Sequence, residues 1–196
     1  MKKQQADELL YQALETEQGG VKVYEMAIQC ANNPELRKEW EGYLDETQNH
    51  ERILLRVFDQ LGLNPQEETP GRQVLRHVAE GLVKAMEMAR AADPVGAQLV
   101  AAESVVQAET KDHMNWELIG LLAKEFKGDQ RKALEEAYGE VEEQEDEHLY
   151  HTMGWARELW IDSLGLPAVI PPPEEEKDVK TAIGAARAKN AREDML

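Results

Sequence analysis

Glu142-Glu143-Gln144-Glu145-Asp146-Glu147-His148 sets an acid and an imidazole where the apolar stripe of a helix should run. Counting in sevens puts Leu134, Val141, His148 and Trp155 on one line and Tyr138, Glu145, Thr152 and Leu159 on the line beside it, so Glu145 and His148 point inward. A buried carboxylate without a partner costs several kcal/mol, and a core that contains one supplies a cation or a hydrogen-bond network to meet it. Glu three residues before His is also the spacing by which one helix offers both an oxygen and a nitrogen to a metal centre. In a chain this rich in acids the pair carries little weight alone, and the rest of the sequence decides what it means.

The chain has 196 residues, enough for one domain, or one domain with a tail, and for a sizeable core. Ala, Leu, Glu and Lys are abundant, Pro is sparse before residue 166, and β-branched runs are few, which predicts an all-helical protein. No apolar run reaches membrane-spanning length and Met1-Lys2-Lys3-Gln4-Gln5 leads into no signal segment, so a soluble cytoplasmic protein is expected. The single cysteine, Cys30, excludes an internal disulfide framework and fits a structural role. A net charge of −17 repels nucleic acid and anionic membranes and draws in metal cations. Most of those charges serve simply as a solvated surface.

A first helix is expected from Gln5 to Ala31, with Leu10, Leu14, Val21, Tyr24 and Ile28 as its stripe and Glu17 on that stripe where Leu would be ordinary. Asn33-Pro34 starts a second helix that ends at Leu61-Gly62 and turns Tyr43, Thr47, His50 and Leu54 inward. Thr69-Pro70 opens a third, to Ala92, through Val74, Leu75, Val78, Leu82, Ala85 and Met86. At about 1.5 Å per residue it is long enough, roughly 35 Å, to cross a bundle from end to end. Asp93-Pro94 starts a fourth helix to Phe126 with Glu109 as its inward acid, and Gly128-Asp129 stops it and caps a fifth, Gln130 to Ser163. Leu166-Pro167 and Pro171-Pro172-Pro173 form an extended spacer, so residues 1–165 are read as the helical domain and 166–196 as a Pro-rich, charged tail.

The acids recur in a repeat. Glu17 precedes Tyr24 by seven residues and Glu109 precedes Trp116 by the same seven, and each of these helices is followed by one with an inward His. From Glu17 to the first turn is roughly 21 Å, and roughly 20 to 24 Å back from that turn reaches Thr47 to His50. From Glu109 to the last turn is roughly 26 Å, and roughly 22 to 27 Å back reaches Glu145 and His148. If the long helix carries the chain across the full length, Glu17, His50, Glu109, Glu145 and His148 line one central site.

At these residues the chain resembles the ferritin-like di-metal carboxylate superfamily, over about residues 5–163. The resemblance implies a four-helix bundle of two helical hairpins joined by a helical crossover. It implies that Glu17 and Glu109 are terminal ligands, Glu145 a bridging ligand, and His50 and His148 the nitrogen ligands. Asp45-Glu46-Thr47 to His50, with the crossover, looks like a bacterial branch of ferritin-like stress proteins. One position departs from the pattern: three residues before His50 the family motif has Glu and this chain has Thr47. Either Glu46, one step around the helix, turns in as the sixth ligand, or the site is weaker on that side.

Carboxylates with two imidazoles and no cysteine cluster suit iron or manganese rather than a thiolate zinc site. By resemblance the expected cofactor is two iron ions per bundle, with manganese as the variant, and the expected chemistry is oxidation of Fe(II) or consumption of peroxide in stress defence, with dioxygen or peroxide as reactant. Tyr24, Trp116 and Asp112 are expected around the ligands, orienting imidazoles or supplying an electron, with plain packing the ordinary role of the two aromatics. His113, His151 and His77 are left out of the site. Two other readings stand beside this one: a dimanganese catalase, and a metal-free or metal-stabilised helical scaffold that docks partners through its tail. A homodimer or higher homo-oligomer is expected in either case.

Overall fold

The structure is a computed structural model that describes residues 2–168. It is all-helical, with no strand among the described residues, and runs α1 (Lys3–Cys30), α2 (Pro34–Leu61), α3 (Pro70–Ala92), α4 (Ala97–Ala123) and α5 (Gly128–Ser163). The expected tail, 166–196, lies outside the described residues apart from its first three.

Local chemistry accounts for most boundaries. The Asn33 side chain accepts from the backbone N–H of Glu35 at 2.8 Å and of Leu36 at 3.3 Å, and Pro34 fills the first helical position where no N–H partner is needed. Gly62, at φ 69°, stops α2 in a left-handed conformation that a Cβ would disfavour. Thr69 caps α3 through the Arg72 N–H, again with Pro next. Two boundaries differ from expectation. Asp93 accepts from the Val95 N–H in a turn, so α4 begins at Ala97 rather than at Asp93-Pro94. Gly128 is itself the first residue of α5, and Asp129 sits in the first turn, where it favours the helix dipole without capping it.

The helices meet through faces that carry their apolar residues. The first half of α1 (Leu10, Leu14) packs with the second half of α2 (Ile53, Leu54, Val57, Phe58), the second half of α4 (Trp116, Ile119) and the first half of α5 (Leu134, Val141). The other ends meet in a second cluster of Val23, Tyr24, Leu36, Trp40, Tyr43, Met86 and Val105. Consecutive helices of each pair, α1 with α2 and α4 with α5, therefore run antiparallel. Each large side chain so buried contributes about 1.5–3 kcal/mol. Between the two apolar clusters lies a layer that no hydrophobic argument explains: Glu17, His50, Glu109, Glu145 and His148, all buried.

Helix α3 lies against α1 and α4, so α1 is covered by three neighbours and is buried nearly all round. That is why Glu15 is buried beside Glu17, meeting Arg72 at 2.8 Å and Arg76 at 2.7 Å. Arg72 also donates to the Pro65 and Glu67 carbonyls, clamping the α2–α3 linker onto α1. A Cβ on Gly19 would stand 2.7 Å from the Ala79 Cβ, so the two helices approach more closely than any side chain at 19 allows. The stripe expected on α3 is corrected: Val74 and Val78 face outward at 62% and 51% exposure, while Arg72 and Met86 are its buried residues. On α1, Val23 and Ala27 are buried where Val21 and Ile28 are only half-buried. No helix among the described residues is long and apolar enough to cross a membrane.

Candidate metal centre

Glu17 comes from α1, His50 from α2, Glu109 from α4, and Glu145 and His148 from α5. Because each stands on the inward line of its helix, the packing that joins the two apolar clusters drives all five side chains to one level. The ligand-type atoms fall into two groups, Glu17–His50–Glu145 and Glu109–Glu145–His148, each with its atoms within 4.8 Å of one another. Glu145 belongs to both. His50 Nδ1 lies 3.0 Å from Glu145 Oε1 and 3.8 Å from Glu17 Oε1, and His148 Nδ1 lies 3.6 Å from Glu109 Oε2 and 3.9 Å from Glu145 Oε1.

These short distances are not ordinary hydrogen bonds. Both Glu145 oxygens, both imidazole Nδ1 atoms, Glu17 Oε2 and Glu109 Oε2 are buried without a hydrogen-bond partner. Buried polar atoms are normally paired, and leaving one unpaired costs about 1–3 kcal/mol. Here the unpaired atoms aim at shared points instead of at each other, and those points offer carboxylate oxygens and imidazole nitrogens. Such a donor set fits a hard or borderline divalent cation. The two groups could therefore each hold a metal ion, with Glu145 between them.

The outward nitrogens are fixed by a chain of hydrogen bonds across the α2–α5 seam. His50 Nε2 donates to Gln144 Oε1 at 2.8 Å, Gln144 Nε2 donates to Glu46 Oε1 at 3.5 Å, and His148 Nε2 donates to Glu46 Oε2 at 2.7 Å. With each Nε2 carrying the proton of that bond, each Nδ1 is turned inward, the orientation a ligating imidazole requires once Nδ1 carries no proton. Glu46 stands outside both groups, partly exposed, with both oxygens taken up by this chain. Thr47 is buried but does not reach the site either: its hydroxyl donates to the Tyr43 carbonyl at 2.8 Å and its methyl sits 3.2 Å from where a Cβ on Gly20 would be.

The seven-residue repeat acts crosswise. Trp116, seven after Glu109, donates its indole N–H to Glu17 Oε1 at 2.7 Å, the acid of the other half. Tyr24, seven after Glu17, faces Glu109, and burial together with that carboxylate pushes the phenol well up. Asn115 donates to Thr16 at 3.0 Å beside this pair and accepts from Lys111. Asp112, one turn beyond Glu109, is buried, and Glu109, His148 and Glu17 are the site groups that act on its carboxyl. The three histidines left out stay out: His113 pairs with Asp146, His151 meets Tyr43 and Glu39, and His77 is exposed.

Protonation follows from crowding acids in a dry interior. Burial first, then the neighbouring acids, raises Glu17, Asp112 and Glu145 well above the usual carboxylate range. Burial holds His50 down to about 4 despite the bond to Gln144. For His148 burial is outweighed by Glu109 and Glu46, and it is lifted to about 9. Without a cation the site thus holds protons, which a cation must displace.

Sequence reasoning missed Gln144, whose signal was its place as the one neutral residue in the acidic run Glu142 to Glu147. It also missed that Trp116 serves Glu17, which spacing along one helix cannot reveal.

A helical domain that buries matching Glu and His residues of its two halves around one interior point is of the ferritin-like class. The family described as "Domain of unknown function (DUF892)" matches residues 5–153, well over half of the chain. The chain belongs to that family, a domain of the ferritin-like superfamily. No curated protein and no solved structure matches it.

Proposed function

We propose that the protein is a ferritin-like four-helix bundle of two hairpins, α1–α2 and α4–α5, joined by α3, which binds two iron ions, or manganese in their place, and oxidises Fe(II) or consumes peroxide in stress defence. The observation that carries this reading is the set of buried, unpaired oxygens and nitrogens in two groups that share Glu145. Two such ions, when bound, supply electron exchange with dioxygen or peroxide. The chain's own contribution is to hold and orient. Glu17, Glu109 and Glu145 with His50 and His148 bind; Trp116 fixes one oxygen of Glu17; Gln144 and Glu46 keep both imidazoles turned inward. The apolar clusters above and below exclude water, which strengthens every charge interaction between them. Glu46, partly exposed and bonded to His148, is the member of the outer chain that can exchange a proton with solvent.

Anaerobic Fe(II) titration of metal-stripped protein, followed by oxygen or peroxide, tests the reading. About two ions bound per chain and a transient visible absorption on adding oxidant are expected. Binding of no stoichiometric metal leaves a helical scaffold instead.

A further inference from the structure

The two groups around Glu145 leave an imbalance of charge. Two divalent ions bring four positive charges, whereas Glu17, Glu109 and Glu145 bring three negative ones and the imidazoles none. An uncompensated charge in a dry interior is costly, so a buried centre of this kind approaches neutrality. Thr47 supplies nothing, because its hydroxyl is turned back to its own helix. Glu46 lies outside, partly exposed and committed to His148.

Asp112 is the remaining acid of that interior. It follows Glu109 by three residues on α4 and so shares its inward face. Its residue is 3% exposed, its Oδ1 is buried with no hydrogen-bond partner, and its carboxyl lies within hydrogen-bonding contact of Glu17. It stands outside both groups, as Glu46 does, but unlike Glu46 it is buried and keeps an oxygen with no partner. No Lys or Arg meets it in an ion pair among the described residues; Lys111 next to it turns to Asn115.

We infer that Asp112 is a metal ligand, the fourth carboxylate of the centre, supplied by α4 in the role that a Glu at position 47 would have filled from α2. The inference rests on the metal-binding reading above. It makes the centre asymmetric: α4 contributes two acids, Glu109 and Asp112, and α2 contributes His50 alone.

Anaerobic Co(II) titration of metal-stripped wild type, Asp112→Asn and Asp112→Ala, followed by visible absorption and equilibrium dialysis, tests it, with helicity by circular dichroism measured on each. Wild type is expected to bind about two ions per chain, and both variants to remain helical and bind about one. Asn keeps the shape and removes the charge, so its apo form has no reason to misfold. If wild type and either folded variant both bind about two ions, even ~10- to 100-fold more weakly, Asp112 is a positioning residue for Glu17 and the inference falls while the metal reading stands. If wild type binds none, both fall together.

Discussion

Gln144 carries more of the design than its neutrality suggests. It accepts the Nε2 proton of His50 and passes a hydrogen bond to Glu46, which accepts from His148, so one amide ties two imidazoles on different helices. Gln144→Leu removes that acceptor, leaves His50 free to turn or change tautomer, and is expected to weaken metal binding ~10- to 100-fold with the helices intact; unchanged affinity in the same titration would show that the outer chain has no part in orientation. His148 gives a pH prediction whose sign is fixed. Its pKa is raised to about 9, so the stability it contributes is fully present below its unfolded value of 6.5 and is lost as pH rises through about 9. Glu17 and Glu145, also raised, act in the same direction, whereas His50, lowered to about 4, acts only below 6.5. Metal-stripped protein should therefore melt at a lower temperature at pH 9.5 than at 7, and bound cation should shrink the difference. A melting temperature that rises with pH over that window would overturn this assignment of protons.

Helix α1 shows what periodicity can and cannot tell. A line of Leu10, Glu17 and Tyr24 is legible because an acid in an apolar line is a local contradiction, and the same contradiction marks His50, Glu109, Glu145 and His148. The side on which a borderline residue falls was not legible. Glu46 and Thr47 are neighbours on α2, and only the packing shows that one holds an imidazole from outside while the other spends its hydroxyl on its own backbone. The face of α3 was misread for a related reason: Val74 and Val78 continue an apolar stripe, but the contact with α1 is made through Arg72, Ala79 and Met86, where a buried Glu15 and a bare Gly19 await it. Gly19 tests that contact. In an isolated helix Gly→Ala is worth about 1 kcal/mol of stability, yet here the new methyl would lie 2.7 Å from the Ala79 Cβ, which has no flexible end to move aside. Overpacking of this kind costs about 1–3 kcal/mol, so Gly19→Ala should lower stability in urea denaturation. A gain would mean that α3 is not held against α1 at this point.

Taken together, the five helices put two apolar clusters on either side of one polar layer, whose unpaired oxygens and nitrogens could hold a metal ion. The whole was more legible than its joints, since helix lengths set by Asn33-Pro34, Gly62 and Thr69-Pro70 bring the inward acids to one height, while the turn at Asp93 and the start at Gly128 depend on local bonds that composition does not reveal. Crystals of the protein grown with Mn(II), with anomalous scattering recorded at the manganese edge, test the convergence most directly. That convergence predicts two interior peaks, one on each side of the Glu145 carboxylate, within coordinating distance of His50 and His148. Peaks confined to surface acids, with the interior layer closed by water or by protonated carboxyls bonded to each other, would contradict it.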